Sequence, residues 1–477
     1  MTRALKLLGA TCSGMILALA AMGSVAHAQD EPAKPSDEPA DYLGQPARPA
    51  SIKGSFSLVS IGDLLYSHPM ATRADPELQK VITLIRSGDV TIANREGITL
   101  APDTSAPSYG TGLLWAEGSL ATDEKAMGID MVSLANNHCM DWGEKGLFDT
   151  IRLHRQAAIV TAGGGNTWQE ALAAGVLATP KGRIALVSTA STFGPNARAN
   201  DAWGKTAARP GISTLRTRTI QLLDAQHFAK IRSLATDLAS PLKPAPPADA
   251  TEITFDDQIY RLSDRNALLY EMDLYDHAAL LRSIREAKAH ADLVVFTIHA
   301  HESSTGVDDD TPPPPNFLIT LFHNAVDAGA DAIMGGGPHS LRGIEIYKGK
   351  PILYGLGAFF INGEIEASQE MSLQVYPDAS GHAPPPRPPE KSVRPGGNPA
   401  SWYDGVVAVT DYENGAAKRL RLYPLDLGNT YDRSRRGIPH FATPEVAKRI
   451  LIDLQHGSAQ FGTTIRIEGS TGIVDIG

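Results

Sequence analysis

Cysteine is almost missing from this chain of 477 residues: there are two. Cys12 falls inside a segment expected to be removed, and a single remaining thiol, Cys139, excludes an internal disulfide framework. Cys139 follows His138, but a lone cysteine is more often a small core residue than a ligand. Positive charge is in deficit, with 43 Lys and Arg against 53 Asp and Glu for a formal charge of −10, which argues against nucleic acid as a partner. Nothing repeats at a fixed period, so a solenoid is excluded. The sequence carries no Gly-x-Ser-x-Gly elbow, Walker loop, Cys-x-x-Cys pair or dinucleotide fingerprint, which removes several common catalytic classes. Beyond the first residues no run is apolar enough to span a bilayer.

What is present begins with a secretory signal. Arg3 and Lys6 precede an apolar run to about Ala21, and Ala26-His27-Ala28 places small residues at a cleavage site. Residues 1–28 are therefore expected to be a signal peptide, leaving a mature chain from Gln29, exported to the periplasm, the cell envelope or the medium. The cleaved protein would have no transmembrane helix, and its charge would become −12, because two positive residues leave with the signal. Residues 29–51 are rich in Pro, Ala, Asp and Glu and read as a disordered leader.

Short apolar, β-branched runs then recur at 56–61, 90–92, 131–134, 159–161, 184–188, 293–298, 332–334 and 352–354. Helical patterns at 75–87 and 277–291 lie between some of them. Alternation of this kind predicts an α/β fold of central sheets flanked by helices. The pattern weakens over 199–259, which reads as a lid insertion. Residues 376–400 are a Pro-rich loop. Residues 401–477 form a C-terminal extension, with a hairpin turning at Asn414-Gly415 and a helix over 443–455. The main domain is expected over 52–375.

The polar residues able to do chemistry follow the buried strands. Asp63 follows the first; Asn94 and Glu96 the second; Asn136, Asn137 and His138 the third; His299, His301 and Glu302 the sixth; and His339 the seventh. In an open parallel sheet such positions gather at one edge. Histidines and carboxylates brought together there would repel one another and hold protons unless a cation neutralised them. Mixed imidazole and carboxylate ligands suit zinc, manganese or iron, so divalent metal ions, one or two, are the expected cofactor. Three glycines at 335–337 would either let backbone N–H groups approach an anion or simply make a tight turn.

Ile61-Gly62-Asp63, Ala93-Asn94-Arg95-Glu96-Gly97, Leu134-Ala135-Asn136-Asn137-His138 with Asp141 and Gly143, and Gly337-Pro338-His339 through Tyr354-Gly355-Leu356-Gly357 resemble, in order, the motif series of the CapA family of capsule and poly-γ-glutamate biosynthesis proteins. That family is similar to the calcineurin-like metallophosphatases. The resemblance implies a four-layer sandwich and a two-metal site at the strand ends. By motif, Asp63, Glu96, Asn137, His299 and His339 become the metal ligands, with Glu96 as a bridging carboxylate. His138 takes the position that acts on the leaving group, and Asp141 and Glu302 complete the catalytic candidates. The sequence departs from the family where a second histidine usually precedes the one matching His339; Gly335 to Gly337 stand there instead, and His301 is the residue able to replace the lost ligand. Ala358 also stands where the family has Asn. His68, five residues after Asp63, is a further loop histidine.

The function this implies is polymer biosynthesis in the envelope by a metal-dependent hydrolase acting on an anionic polymer. The alternatives are a periplasmic phosphoesterase or amidase with a small-molecule substrate beneath the lid, and a non-catalytic polymer-binding accessory protein.

Overall fold

The strand Ser55–Leu65 is buried along almost its whole length, which a strand attains only inside a sheet covered on both faces. Its parallel neighbours run outward as Val90–Asn94, Met131–Ser133 and Val160–Ala162. On its other side it pairs antiparallel with Asp404–Glu413 and, past Asp63, parallel with Ala358–Ile361. The computed structural model describes residues 50–104, 114–305, 313–361, 399–432 and 434–477. The expected signal segment, residues 29–49 of the expected leader and nearly all of the Pro-rich stretch at 376–400 lie outside them.

A second sheet of six strands is ordered Ile344–Tyr347, Lys350–Leu353, Ala332–Gly336, Leu293–His299, Gly182–Ala190 and Gly175–Thr179. Its central strands are parallel. The way the sheets stack follows from the period-two alternation of side chains. Leu58 joins Ile92, Leu186 and Val295 in a core between the sheets. The next residue, Val59, faces the opposite way and packs with Leu78, Val81, Ile82 and Ile85 of the helix Pro76–Arg86. On the second sheet Val187 and Phe296 lie under the helices Leu274–His290 and Asn316–Ala328, against Leu280, Ile284, Phe317 and Phe322. The order helix, sheet, sheet, helix is the four-layer sandwich expected.

Local chemistry sets the helix starts. Asp75 caps Pro76–Arg86 by accepting from the N–H groups of Glu77 and Leu78, and Asp273 caps Leu274–His290 in the same way. At the other end of the chain, Asn414 and Gly415 both have positive φ, as a two-residue hairpin turn requires. The hairpin Asp404–Glu413 and Ala416–Asp426 is built into the first sheet, and residues 404–475 supply five of its ten strands. The last helix, Pro444–Ala459, seals the core between the sheets with Ala447, Ile450, Leu451 and Leu454.

The region of weak pattern builds a small sheet of its own, ordered Glu252–Phe255, Gln258–Leu262, Thr217–Leu223 and Ala267–Met272, with the helix Ala225–Asp237. It runs beyond residue 259 to Met272. Asp276 anchors it, holding the guanidinium groups of Arg198 and Arg216 at 2.8–2.9 Å. No helix among the described residues is long and apolar enough to cross a membrane.

Candidate metal centre

The first strand is irregular where it matters. Its register shifts on both flanks of Asp63, and a bulge of this kind re-aims a side chain. Gly62 makes it possible, because a Cβ there would lie 1.9 Å from the carbonyl oxygen of Gly357. Asp63 in turn donates its backbone N–H to that same carbonyl at 3.2 Å.

Around the Asp63 carboxylate the strand ends converge. Asn94 donates from Nδ2 to Asp63 Oδ1 at 2.7 Å and lies 3.0 Å from Nδ1 of His299. The N–H of Gly337 donates to Asp63 Oδ2 at 3.2 Å, and His339 Nδ1 sits 3.0 Å from the same oxygen. Glu96 lies between the histidines, with Oε2 3.6 Å from His339 Nδ1 and Oε1 3.8 Å from His299 Nε2. His301 Nε2 is 2.9 Å from His299 Nε2, and its ring centre is 5.7 Å from that of His339. Atoms able to ligate a metal thus form two triplets, Glu96 with His299 and His301, and Asp63 with Glu96 and His339, each within 4.8 Å. Glu96 belongs to both.

The electrostatics suit a cation. Asp63, Glu96, His299 and His339 are all buried. Burial, and then the neighbouring His301, His339 and His138, hold the His299 imidazole well below its ordinary 6.5, so this side chain is kept neutral, the form an imidazole must have to bind a metal. Buried carboxylates beside a neutral imidazole gain most from a positive ion in their midst. Two buried amide oxygens, Oδ1 of Asn94 and of Asn137, have no hydrogen-bond partner among the described residues. Hard oxygen donors of this kind also fit divalent zinc, manganese or iron.

His138 stands beside this cluster with its Nδ1 2.8 Å from Asp141 Oδ2. Asp141 also accepts the N–H of Leu114 at 2.7 Å, so both its position and that of the ring are fixed. Glu302 is held by the hydroxyls of Ser191 and Thr192 at 2.8 and 3.0 Å, and Thr192 accepts the N–H of His301. His68 is exposed and 3.8 Å from Glu117, and it belongs to neither triplet. Cys139 is buried, and burial, with Asp141 nearby, raises its thiol far above the ordinary range; it is a core residue.

The glycines at 335–337 have a packing reason. A Cβ on Gly335 would lie 2.5 Å from the carbonyl oxygen of Tyr354, and one on Gly336 would lie 2.7 Å from Asp63 Oδ1. The strand runs through both residues, and His339 follows with φ of 50°, a left-handed conformation that sets its ring beside Asp63.

Residues 57–363 match the family described as bacterial capsule synthesis protein PGA_cap. The chain belongs to this family. It is the CapA family whose motifs the sequence resembles, and the match covers every residue of the cluster. Among the relatives of this PGA_cap chain is the uncharacterized protein y4sH of Sinorhizobium fredii, 32% identical over 95% of this chain and 100% of the relative. The capsule biosynthesis protein CapA of Bacillus anthracis is 25% identical over 53% of this chain and 45% of its own length. A probable polyglutamine synthesis accessory protein of Mycobacterium tuberculosis is 26% identical over 47% of this chain and 43% of its own. The chain spans less than half the length of these last two.

Two participants escaped the motif reading of this PGA_cap chain. Asn94 is not a carried-over ligand, although its place at a strand end is a visible signal; it links Asp63 to His299. Trp402 sets its ring edge-on to His339, 4.7 Å between centroids. It comes from the short helix Ala400–Tyr403, 63 residues away in sequence, which leads into the strand Asp404–Glu413 paired with the first strand.

Proposed function

We propose that this protein is a metal-dependent hydrolase acting in the synthesis, export or trimming of a capsule or poly-γ-glutamate-type polymer. The observation that carries the reading is the sharing of Glu96 between two ligand triplets. A carboxylate common to two such groups suits a dinuclear hydrolytic site, and the capsule biosynthesis role named for the Bacillus anthracis relative supplies the polymer. Asp63, Glu96, His299, His301 and His339 would hold the metal, with Asn94 and Asn137 contributing amide oxygens. A divalent ion there would supply a polarised substrate oxygen and a hydroxide near neutral pH.

The chain's own residues do the rest. Asp141 holds the proton of His138 on Nδ1, leaving Nε2 as the nitrogen that exchanges a proton with the leaving group. Asn94 orients His299 and Asp63 together. Glu302, through Thr192, holds the backbone of His301 in place. In this proposal it positions a ligand and does not itself move a proton.

The test is a hydrolysis screen with phosphoesters, γ-glutamyl amides and poly-γ-glutamate, run with and without chelator on protein reconstituted with zinc, manganese or iron. Chelator-sensitive turnover that vanishes in Glu96→Ala is expected. Chelator-insensitive turnover, or none on any substrate with a fully metallated protein, contradicts the hydrolase reading and moves the protein to the accessory binding role.

A further inference from the structure

The end of the first strand, which carries Asp63, and the segment that carries Glu96 are tied together by one buried side chain. Arg95 stands between Asn94 and Glu96 and is 1% exposed. Its Nη1 donates to the carbonyls of Leu64 at 2.8 Å, Tyr66 at 3.3 Å and Glu96 at 3.4 Å, so it grips the chain just after Asp63 and the chain at Glu96 at once. The guanidinium also lies over the ring of Tyr66, 5.6 Å from its centroid. The carbonyl of Arg95 itself accepts from Nδ2 of Asn136 at 2.7 Å, and Asn136 Oδ1 accepts the N–H of His138 at 3.0 Å. Three strand-end loops are thereby joined through one residue.

A buried guanidinium needs a counter-charge. Glu124, fully buried on the helix Leu120–Met127, supplies it at 3.4 Å from Arg95 Nε. Glu124 is held in turn by His154 Nε2 at 2.9 Å, and His154 Nδ1 lies 2.8 Å from the carbonyl of Thr150. Both His154 nitrogens face oxygen acceptors, so the ring is pinned from both sides. The neighbour of Glu124, Asp123, accepts the N–H groups of Met70 and Ala71 at 2.8 Å each, fixing the rest of the loop that leaves Asp63. The helix Leu120–Met127 therefore presents two adjacent acids, one to each ligand-bearing loop.

We infer that Arg95, with Glu124 and His154 behind it, is the positioning device of the metal centre: it sets the separation of Asp63 and Glu96. The inference rests on the metal reading above, and it concerns residues that touch neither metal nor substrate. Long-range charge pairing is a costly way to stabilise a core, since an apolar set of the same volume serves as well or better. A network that instead fixes the ligand loops fits the rule that groups behind the ligands tune affinity about 10–100-fold.

The test compares Arg95→Lys, Glu124→Gln and His154→Gln with wild type, and with Asp276→Asn as a control for lost buried charge elsewhere. Metal affinity is read by competition with a chromogenic chelator, and loop ordering by hydrogen exchange on the metal-free protein. Expected are a 10–100-fold loss of affinity and faster exchange at residues 64–66 and 96–98 in Arg95→Lys and Glu124→Gln, with exchange across Leu293–His299 unchanged. Asp276→Asn should lower the melting temperature with affinity intact. Affinity within twofold of wild type and unchanged exchange at both loops in Glu124→Gln, the near-isosteric variant, overturns the inference. If wild type binds no metal at all, the hydrolase reading fails, and the exchange measurement alone decides whether the network positions the loops.

Discussion

His138, Asp141 and Cys139 are neighbours in sequence with separate fates. The His138 ring is fixed by a carboxylate at 2.8 Å, whereas the thiol beside it points into the core. Replacing Asp141 with Asn removes the carboxylate charge and puts an amide in its place that can donate to Nδ1 and favour the opposite tautomer. Turnover is expected to fall about 10²–10⁴-fold, the usual worth of a general acid or base, with metal content unchanged; kinetics on a phosphoester probe beside metal analysis of the same sample checks it. Loss of metal in step with activity would make Asp141 structural instead. Cys139, buried and with its thiol raised, should not react with an aromatic disulfide reagent in the native protein and should become reactive on unfolding. Rapid labelling of the native state would show an exposed thiol.

Elements place these residues, and the bulge at Gly62-Asp63 is the sharpest case. Gly62→Ala drives a methyl into the Gly357 carbonyl. A loss of about 3 kcal/mol is expected, the upper range for overpacking, with loss of metal binding because Asp63 moves; urea unfolding and metal analysis measure the two. At the insertion, burial alone would raise the Asp276 carboxyl, but hydrogen bonds from Arg216 and Arg198 more than offset it and hold it below its ordinary 3.8. A group depressed in the folded state gives stability above its unfolded value and loses it as pH falls through the folded one. The stability gap between wild type and Asp276→Asn should therefore be full near neutrality, about 3 kcal/mol for breaking a buried pair, and shrink below about pH 4. A gap that stays constant down to pH 3 would contradict this.

At the scale of the molecule, the sandwich arises because each central strand buries both faces, Leu58 one way and Val59 the other. That much was legible in the sequence, since runs such as 184–188 and 293–298 are apolar without alternation, as doubly covered strands are. The convergence of Asp63, Glu96, His299 and His339 was legible too, because strand ends of parallel sheets share an edge. His301 was foreseen only as a replacement ligand. Its approach to His299 depends on the loop after that strand, which has no periodic signal. The strands at 252–255, 258–262 and 267–272 were not legible for the same reason: they are short and half-exposed, and only pairing makes them strands. Trp402 and Arg95 act through contacts 29 to 63 residues distant in sequence, which no local pattern announces.

On the proposed function, this edge binds divalent metal through a shared Glu96. Plasma mass spectrometry on protein purified without chelator, beside Glu96→Ala and a buffer blank, tests it most directly. About two equivalents of zinc, manganese or iron in wild type, lost in Glu96→Ala, is the predicted result. Less than about a tenth of an equivalent after reconstitution, with the fold intact by circular dichroism, would contradict it.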